Sequence, residues 1–238
     1  MLKNYDKILL DILLPPICLS CGTEGAYICE PCFQALKKYS FFICPICKKR
    51  TPDGKLDRDC RKKSGLNRFL GAPLPYYQET VKKLLHSFKY KYAKDIAAPL
   101  SKMLTDFLDE NNFADIASPQ KSKMIVVPVP LYNFRERERG FNHAGEIAKK
   151  VSVKYALPLD LASLKKSKNT QTQAQTTTKE ERSVNVSGAF KCSNENAVSG
   201  KIALLIDDVY TTGATMRECA GVLRGGGAIE VWGVTVSR

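Results

Sequence analysis

The stretch "LLIDDVYTTGAT", residues 204–215, decides how this chain is read. Ile202–Ile206 is an unbroken apolar run between Lys201 and Asp207, the right length for a central strand. Two adjacent aspartates end it, and a threonine-rich loop with one glycine follows. Further on, Met216, Cys219, Ala220 and Leu223 recur at helical spacing until Gly225 stops them. The loop therefore joins the carboxyl end of a strand to the amino end of a helix. Backbone N–H groups converge at such a junction, and the helix dipole favours an anion there. Gly213 lets the backbone close on a phosphate without an intervening side chain, while Thr211, Thr212 and Thr215 add hydroxyl donors. Asp207 and Asp208 repel a phosphate, but they suit vicinal ribose hydroxyls or a bound Mg²⁺. Acids and an anion cradle so close together fit a ribose 5-phosphate.

Other nucleotide sites fit less well. No G-x-x-x-x-G-K is present, and Gly225–Gly227 follows a helix rather than a strand, against a dinucleotide fingerprint. A phosphoacceptor receiver would need a further strand-end Asp and a Lys that the sequence does not supply. An acidic strand end followed by a threonine-rich helix cap accounts for any three of these residues, but less well for the whole run.

The remaining chain surrounds this segment with alternating elements. "MIVVPVPL" (124–131) reads as a buried strand with an irregular end at Pro128 and Pro130. "IEVWGVTVS" (229–237) reads as the last strand. Helical spacing is found in 81–108, with a break near Lys89–Lys94, in 142–157 and in 215–224. Residues 110–123 read as a polar connection and 165–185 as a loop-like tract. Strands alternating with helices imply a mostly parallel sheet covered on both faces.

The first part, residues 1–66, is different in kind, and the chain divides by this reading into 1–66 and 67–238. Seven of the nine cysteines fall here, as Cys18-x2-Cys21, Cys29-x2-Cys32 and Cys44-x2-Cys47, with Cys60 alone. An odd total in two-residue gaps, with no secretory signal, argues for metal ligation in a reducing compartment. Four thiolates hold a tetrahedral Zn²⁺. Spacing allows Cys18/Cys21 to share a site with Cys29/Cys32 or with Cys44/Cys47. A helix is expected around 30–39, and 48–65 reads as polar with a turn at Pro52-Asp53-Gly54. "KILLDILLPPICL" near the amino end reads as an amphipathic helix. It is too short to span a bilayer, so there is no integral membrane segment and a cytoplasmic protein is expected. The net charge of +13 over 238 residues favours anionic partners, although a basic protein with no polyanion ligand has the same composition.

"LLIDDVYTTGAT" closely resembles the phosphoribosyl-pyrophosphate (PRPP) motif of type I phosphoribosyltransferases. "VVPVPLYNFRERERGFNHA", "LLHSFKYKYAKDIA", "LLPPICLSCG" and "ERSVNVSGAF" narrow the resemblance to the ComF family, competence-associated proteins with GntX-like members. The resemblance covers nearly the whole chain. It implies a type I phosphoribosyltransferase-like parallel sheet flanked by helices, behind a small N-terminal zinc-ribbon domain.

Carried onto this chain, the resemblance puts ribose hydroxyls on Asp207 and Asp208, and the 5-phosphate on Thr211, Thr212, Gly213, Ala214 and Thr215. Val129, Pro130, Leu131, Arg135 and Arg139, with Arg137 between the two arginines, would meet pyrophosphate. Guanidinium forks match phosphate oxygens there. The tract 165–185 occupies the place of a lid, in which Lys166, Lys168, Gln173 and Arg182 would neutralise departing pyrophosphate. Catalysis would then rest on Asp207, Asp208 and Arg182, stabilising an oxocarbenium-like centre and a polyanionic leaving group, with Mg²⁺ sharing the charge. His143 stands where the family usually has glutamine, and both it and His86 read as structural or surface residues.

The family pattern groups Cys18, Cys21, Cys29 and Cys32 on one structural Zn²⁺ and Cys44, Cys47 and Cys60 on a second. The eighth ligand position holds Lys63, so the second site is degenerate, borrows Asp57 or Asp59, or is empty. Cys192 and Cys219 read as ordinary thiols. Two functions are compatible with this sequence. One is a PRPP-binding transferase linked to DNA uptake, acting on an acceptor chosen by variable loops. The other is a non-catalytic competence factor that binds single-stranded DNA, working with competence helicase machinery. It would use Lys48-Lys49-Arg50, Arg61-Lys62-Lys63 and the lysines of 82–94, with Tyr90 and Tyr92 as stacking faces.

Overall fold

The computed structural model describes residues 15–89, 94–168 and 187–238. The strands there are β1 (Arg68–Phe69), β2 (Met124–Pro128), β3 (Leu164–Lys166), β4 (Phe190–Cys192), β5 (Ile202–Val209) and β6 (Glu230–Ser237). The helices are α1 (Glu30–Ala35), α2 (Arg58–Ser64), α3 (Glu79–Ser87), α4 (Ala97–Glu110), α5 (Phe113–Ala117), α6 (Asn133–Arg139), α7 (His143–Tyr155), α8 (Glu195–Val198) and α9 (Ala214–Gly225). One sheet runs β1-β6-β5-β2 with every neighbouring pair parallel, and β3 and β4 form a separate antiparallel pair. The parallel sheet flanked by helices is the class the sequence implied.

Alternation along β5 shows how the core is divided. Ile202, Leu204 and Ile206 point into one apolar layer with Val126, Trp232 and Val234, covered by α4 and α7. Ala203 and Leu205 point the other way, onto Met216, Cys219, Ala220 and Leu223 of α9. A period of two thus supplies both faces from one apolar run. Each fully buried large side chain here is worth roughly 1.5–3 kcal/mol.

The cysteine-rich segment is packed into this framework. Ile28, Phe33 and Phe42 join the same apolar layer as Trp232, and Phe42 meets Phe107 edge-on at 5.4 Å. Residues 54–56 run along β1: Phe69 donates its N–H to the Gly54 carbonyl at 2.8 Å, and Leu56 donates to the Asn67 carbonyl at 3.1 Å.

Several local readings change. The polar stretch 48–65 contains α2, whose start is capped by Asp57 accepting the Cys60 N–H at 2.8 Å. Gly65 ends it at φ 75°, the left-handed conformation that suits glycine. Within 110–123, the burial of Phe113 and Ala117 draws a short helix out of a polar context. The charged stretch after "PVPL", given no element from its sequence, is helix α6, and none of its residues is buried. The tract read as loop from 165 begins and is followed by the short strands β3 and β4. The expected break in 81–108 falls between α3 and α4. Among the described residues, no helix is long and apolar enough to cross a membrane. Residues 1–14, which carry most of the expected amphipathic helix, lie outside the described residues, as do Tyr90, Tyr92, Gln173 and Arg182.

Candidate functional site

β5 carries Asp207 and Asp208 to the carboxyl edge of the sheet, where both are half-buried. The Asp208 N–H donates to Asp207 Oδ1 at 2.9 Å. Burial, and next the neighbouring Asp208 charge, hold the Asp207 carboxyl well above the usual carboxylate range, with Lys89 partly offsetting them. Lys89 offsets only part of that cost, and a bound cation or a pair of hydroxyl donors would offset more. Asp207 lines a small pocket with Val209, Tyr210, Thr211, Gly213, Thr215 and Met216.

The far wall of that pocket is the start of α9. No hydrogen bond from the N–H groups of Thr212, Gly213 or Met216 is present among the described residues. The Ala214 N–H reaches Thr212 Oγ1 at 3.4 Å, and the helix ladder begins with Arg217 donating to the Gly213 carbonyl at 2.9 Å. Orphan donors at a helix amino end attract an anion. Gly213 is required twice over: its φ is 80°, and a Cβ there would run into the Tyr210 ring. Tyr210 is buried and meets Phe69 edge-on at 5.0 Å. Sequence reasoning missed its role as the floor of the loop, although its position inside the motif was the available signal.

The segment after β2 lies beside the acids. Val129 extends the β2–β5 pairing by donating to the Ile206 carbonyl at 2.8 Å. Asn142 holds it from the other side: its Nδ2 donates to the Val129 carbonyl at 3.1 Å, while its Oδ1 caps α7 by accepting the Gly145 N–H at 3.3 Å. Pro130 and Leu131 follow, half-buried. On α6, Arg135 and Arg139 are one turn apart on a half-buried face, whereas Arg137 is exposed. A bridge between Tyr132 and Lys166 brings the β3–β4 pair alongside. Lys166 is half-buried; burial and then the Arg135 charge lower its ammonium, with Arg139 adding to them and Asp207 opposing. Lys168 is exposed and sits beside Gly188. Lys89 and Lys166 thus lie close enough to Asp207 to feel its charge, and Arg135 and Arg139 lie close enough to Lys166 to feel its own.

His143 is buried and not on the surface. It is 3% exposed, stacked edge-on between Phe88 at 5.0 Å and Phe141 at 5.1 Å, with Arg139 Nη1 3.4 Å from its Nδ1. Its Nε2 is buried without a hydrogen-bond partner. Burial is the main reason its pKa falls to about 4; the Asp208 charge works the other way. Lys89 is the second residue whose place was not foreseen, since it reads in sequence as one lysine among many.

All nine cysteines are free. Cys18, Cys21, Cys29 and Cys32 place their sulfurs within 4.8 Å of one another, and Cys44, Cys47 and Cys60 do the same, which settles the pairing that spacing left open. The Cys21 and Cys29 sulfurs are 3.6 Å apart, close to the ~3.8 Å edge of a tetrahedron with Zn–S bonds near 2.3 Å. Amides of Cys29 and Cys47 donate to the sulfurs of Cys18 and Cys44 at 3.4 and 3.5 Å. Burial works against the thiolate at Cys18, but amides of Cys29, Cys21 and Ser20 outweigh it and bring the thiol to about 6. The donor chemistry fits Zn²⁺ at the first cluster, where the metal would supply a structural tie. At the second, Asp57 and Asp59 are exposed and neither belongs to the ligand group.

Residues 137–236 match the phosphoribosyl transferase domain family, and residues 9–61 match the double zinc ribbon domain family. The fold, the cysteine clusters and these matches define a phosphoribosyltransferase-domain protein with an N-terminal double zinc ribbon. The chain is 30% identical to the competence protein ComFC of Bacillus subtilis over 89% of its own length and 84% of the relative's. It is 28% identical to competence protein F of Haemophilus influenzae, over 92% and 84%. To the DNA utilization protein YhgH of Escherichia coli K12 it is 27% identical, over 86% and 95%. It belongs to the ComF family.

Proposed function

We propose that this chain binds PRPP with Mg²⁺ and is a phosphoribosyltransferase in DNA uptake or use. The observation that carries this reading is one edge of the sheet, where an acid pair and an open amide cradle lie near Lys89 and Lys166, with Arg135 and Arg139 near Lys166. The amides of Thr212, Gly213 and Met216, with the hydroxyls of Thr211 and Thr215, take the 5-phosphate. Asp207 and Asp208 accept hydrogen bonds from the ribose hydroxyls. Arg135, Arg139 and Lys166 face the pyrophosphate and stabilise its charge as it leaves. Mg²⁺ held near the acids would neutralise further charge on the pyrophosphate. The names of the relatives point to handling of DNA, which this chain would serve from the cytoplasm.

The test is a melting experiment. PRPP and Mg²⁺ raise the melting temperature of the wild type, and combined Asp207→Ala and Asp208→Ala abolishes the rise. A wild type that does not respond at millimolar ligand refutes the reading.

A second reading, binding of single-stranded DNA, is supported by one observation. The Cys44/Cys47/Cys60 cluster brings together two exposed basic runs, Lys48-Lys49-Arg50 and Arg61-Lys62-Lys63, which adjoin Cys47 and Cys60 in sequence. Such binding weakens with salt in proportion to the phosphates neutralised. An affinity independent of salt rules it out.

A further inference from the structure

The second cysteine cluster packs against the loop that carries the anion cradle. Cys44 and Cys60 are buried in the same apolar cluster as Leu66, Phe69, Tyr210 and Met216. Two contacts lead from it to the loop. The first runs through Tyr210, whose ring fills the space beneath Gly213 and leaves no room for a Cβ there. Tyr210 is itself held within that cluster, buried and meeting Phe69 edge-on at 5.0 Å. The second runs through Gly65, the cap of the helix that holds Cys60. A Cβ on Gly65 would lie 3.3 Å from the carbonyl oxygen of Arg217, in the first turn of α9.

This cluster is also incomplete. Its three sulfurs lie within 4.8 Å of one another with no fourth Cys, His, Asp or Glu in the group among the described residues, and Lys63, one turn beyond Cys60, is exposed. Asp57 caps the Cys60 amide through Oδ1 and is not a member of the three-sulfur group. A closed zinc site holds its metal with four protein ligands, whereas a three-ligand site leaves one position to water or an exchangeable donor. We propose that Cys44, Cys47 and Cys60 form a labile zinc site whose occupancy sets the conformation of the loop Tyr210–Thr215. With zinc bound, the ribbon holds Tyr210 and Gly65 in place, and the loop is set for an anion. With zinc released, three crowded thiols separate and the floor of the loop loosens. The lability and the loop response stand on their own; the effect on PRPP affinity rests on the proposed function.

The test uses the full zinc-loaded chain and a chromogenic chelator. Metal analysis gives two zinc ions per chain, and one leaves at least ~10-fold faster than the other, a factor that even outer-shell losses produce. In the one-zinc form, amide hydrogen exchange rises at residues 210–216, and PRPP binds roughly 5-fold or more weakly in Mg²⁺. Cys47→Ser reproduces this state. Lys63→Cys completes the ligand set, slows the fast release and keeps the loop protected in chelator. A single zinc in the loaded wild type overturns the proposal, as does unchanged loop exchange after release. So does an equal loop response from Cys21→Ser at the first cluster, which would make the effect a general loosening. If the loop responds but PRPP binds neither form, the ligand assignment fails and this inference stands.

Discussion

Replacing Gly213 by alanine perturbs the cradle through two separable terms. The φ of 80° costs an L-residue roughly 1–2 kcal/mol. The new Cβ also meets the Tyr210 ring, which is buried against Phe69 and cannot swing aside freely. Overpacking of that kind adds roughly 1–3 kcal/mol. Tyr210→Leu removes the ring tip and with it the second term, leaving the backbone strain. A double-mutant cycle in urea on zinc-loaded protein therefore shows an interaction energy of about 1–3 kcal/mol between positions 210 and 213. Gly221→Ala, in the middle of α9 with open space around it, is the control and stabilises by roughly 0.5–1 kcal/mol. The PRPP affinity of Gly213→Ala falls at least tenfold, about 1.4 kcal/mol, because the amides of Thr212, Gly213 and Met216 no longer converge. If Gly213→Ala costs the same in the wild-type and Tyr210→Leu backgrounds, Tyr210 is not the floor of the loop and the packing argument fails.

Asp207→Asn abolishes PRPP binding yet stabilises the unliganded protein at neutral pH. The raised Asp207 pKa means that ionisation costs the folded state; wild type gains on the variant as pH falls through the folded value, and the gain is complete near the ordinary value of ~3.9. Melting curves of both proteins from pH 4 upward, as a ~pH-unit series, check this; parallel profiles contradict it. His143 acts in the opposite sense. Its pKa of about 4 lies below the ordinary ~6.5, so stability present above that value is lost as pH falls through the interval, by on the order of 3 kcal/mol. His143→Gln keeps a polar group and removes this acid sensitivity, and a variant as acid-sensitive as wild type would show that His143 is not its source. Phe42→Ala costs roughly 3–5 kcal/mol. Because Phe42 packs on Phe107, the loss is shared by the whole fold, and urea unfolding followed by tryptophan fluorescence at Trp232 and by zinc release moves together. Two separated transitions would mean that the ribbon and the sheet are energetically independent.

What the sequence displayed was whatever rested on long apolar runs and on fixed spacing. Ile202–Ile206 announced a central strand, and the acids and Gly213 announced a cradle at its end. The order of the helices followed from apolar residues at intervals of three and four. The elements that escaped lack such a signal. α6 buries none of its residues, so its charges carry no amphipathic period. β1 has two residues and β3 and β4 three each, too few to show alternation. α2 buries only Cys60 and Ser64, and a cysteine reads as a ligand before it reads as a helix face. Cysteine spacing alone admitted two pairings, and the fold brings together the one that the family pattern chose. His143 and Lys89 reach the site through packing between segments distant in sequence, which no local pattern encodes. Arg182 and Gln173, expected in the lid, fall outside the described residues.

Calorimetric titration of the zinc-loaded chain with PRPP in Mg²⁺ tests the central claim most directly. Saturable binding at a single site is expected, and it disappears when Asp207 and Asp208 are both alanine. Absence of heat at millimolar PRPP, or equal binding by the double variant, contradicts it.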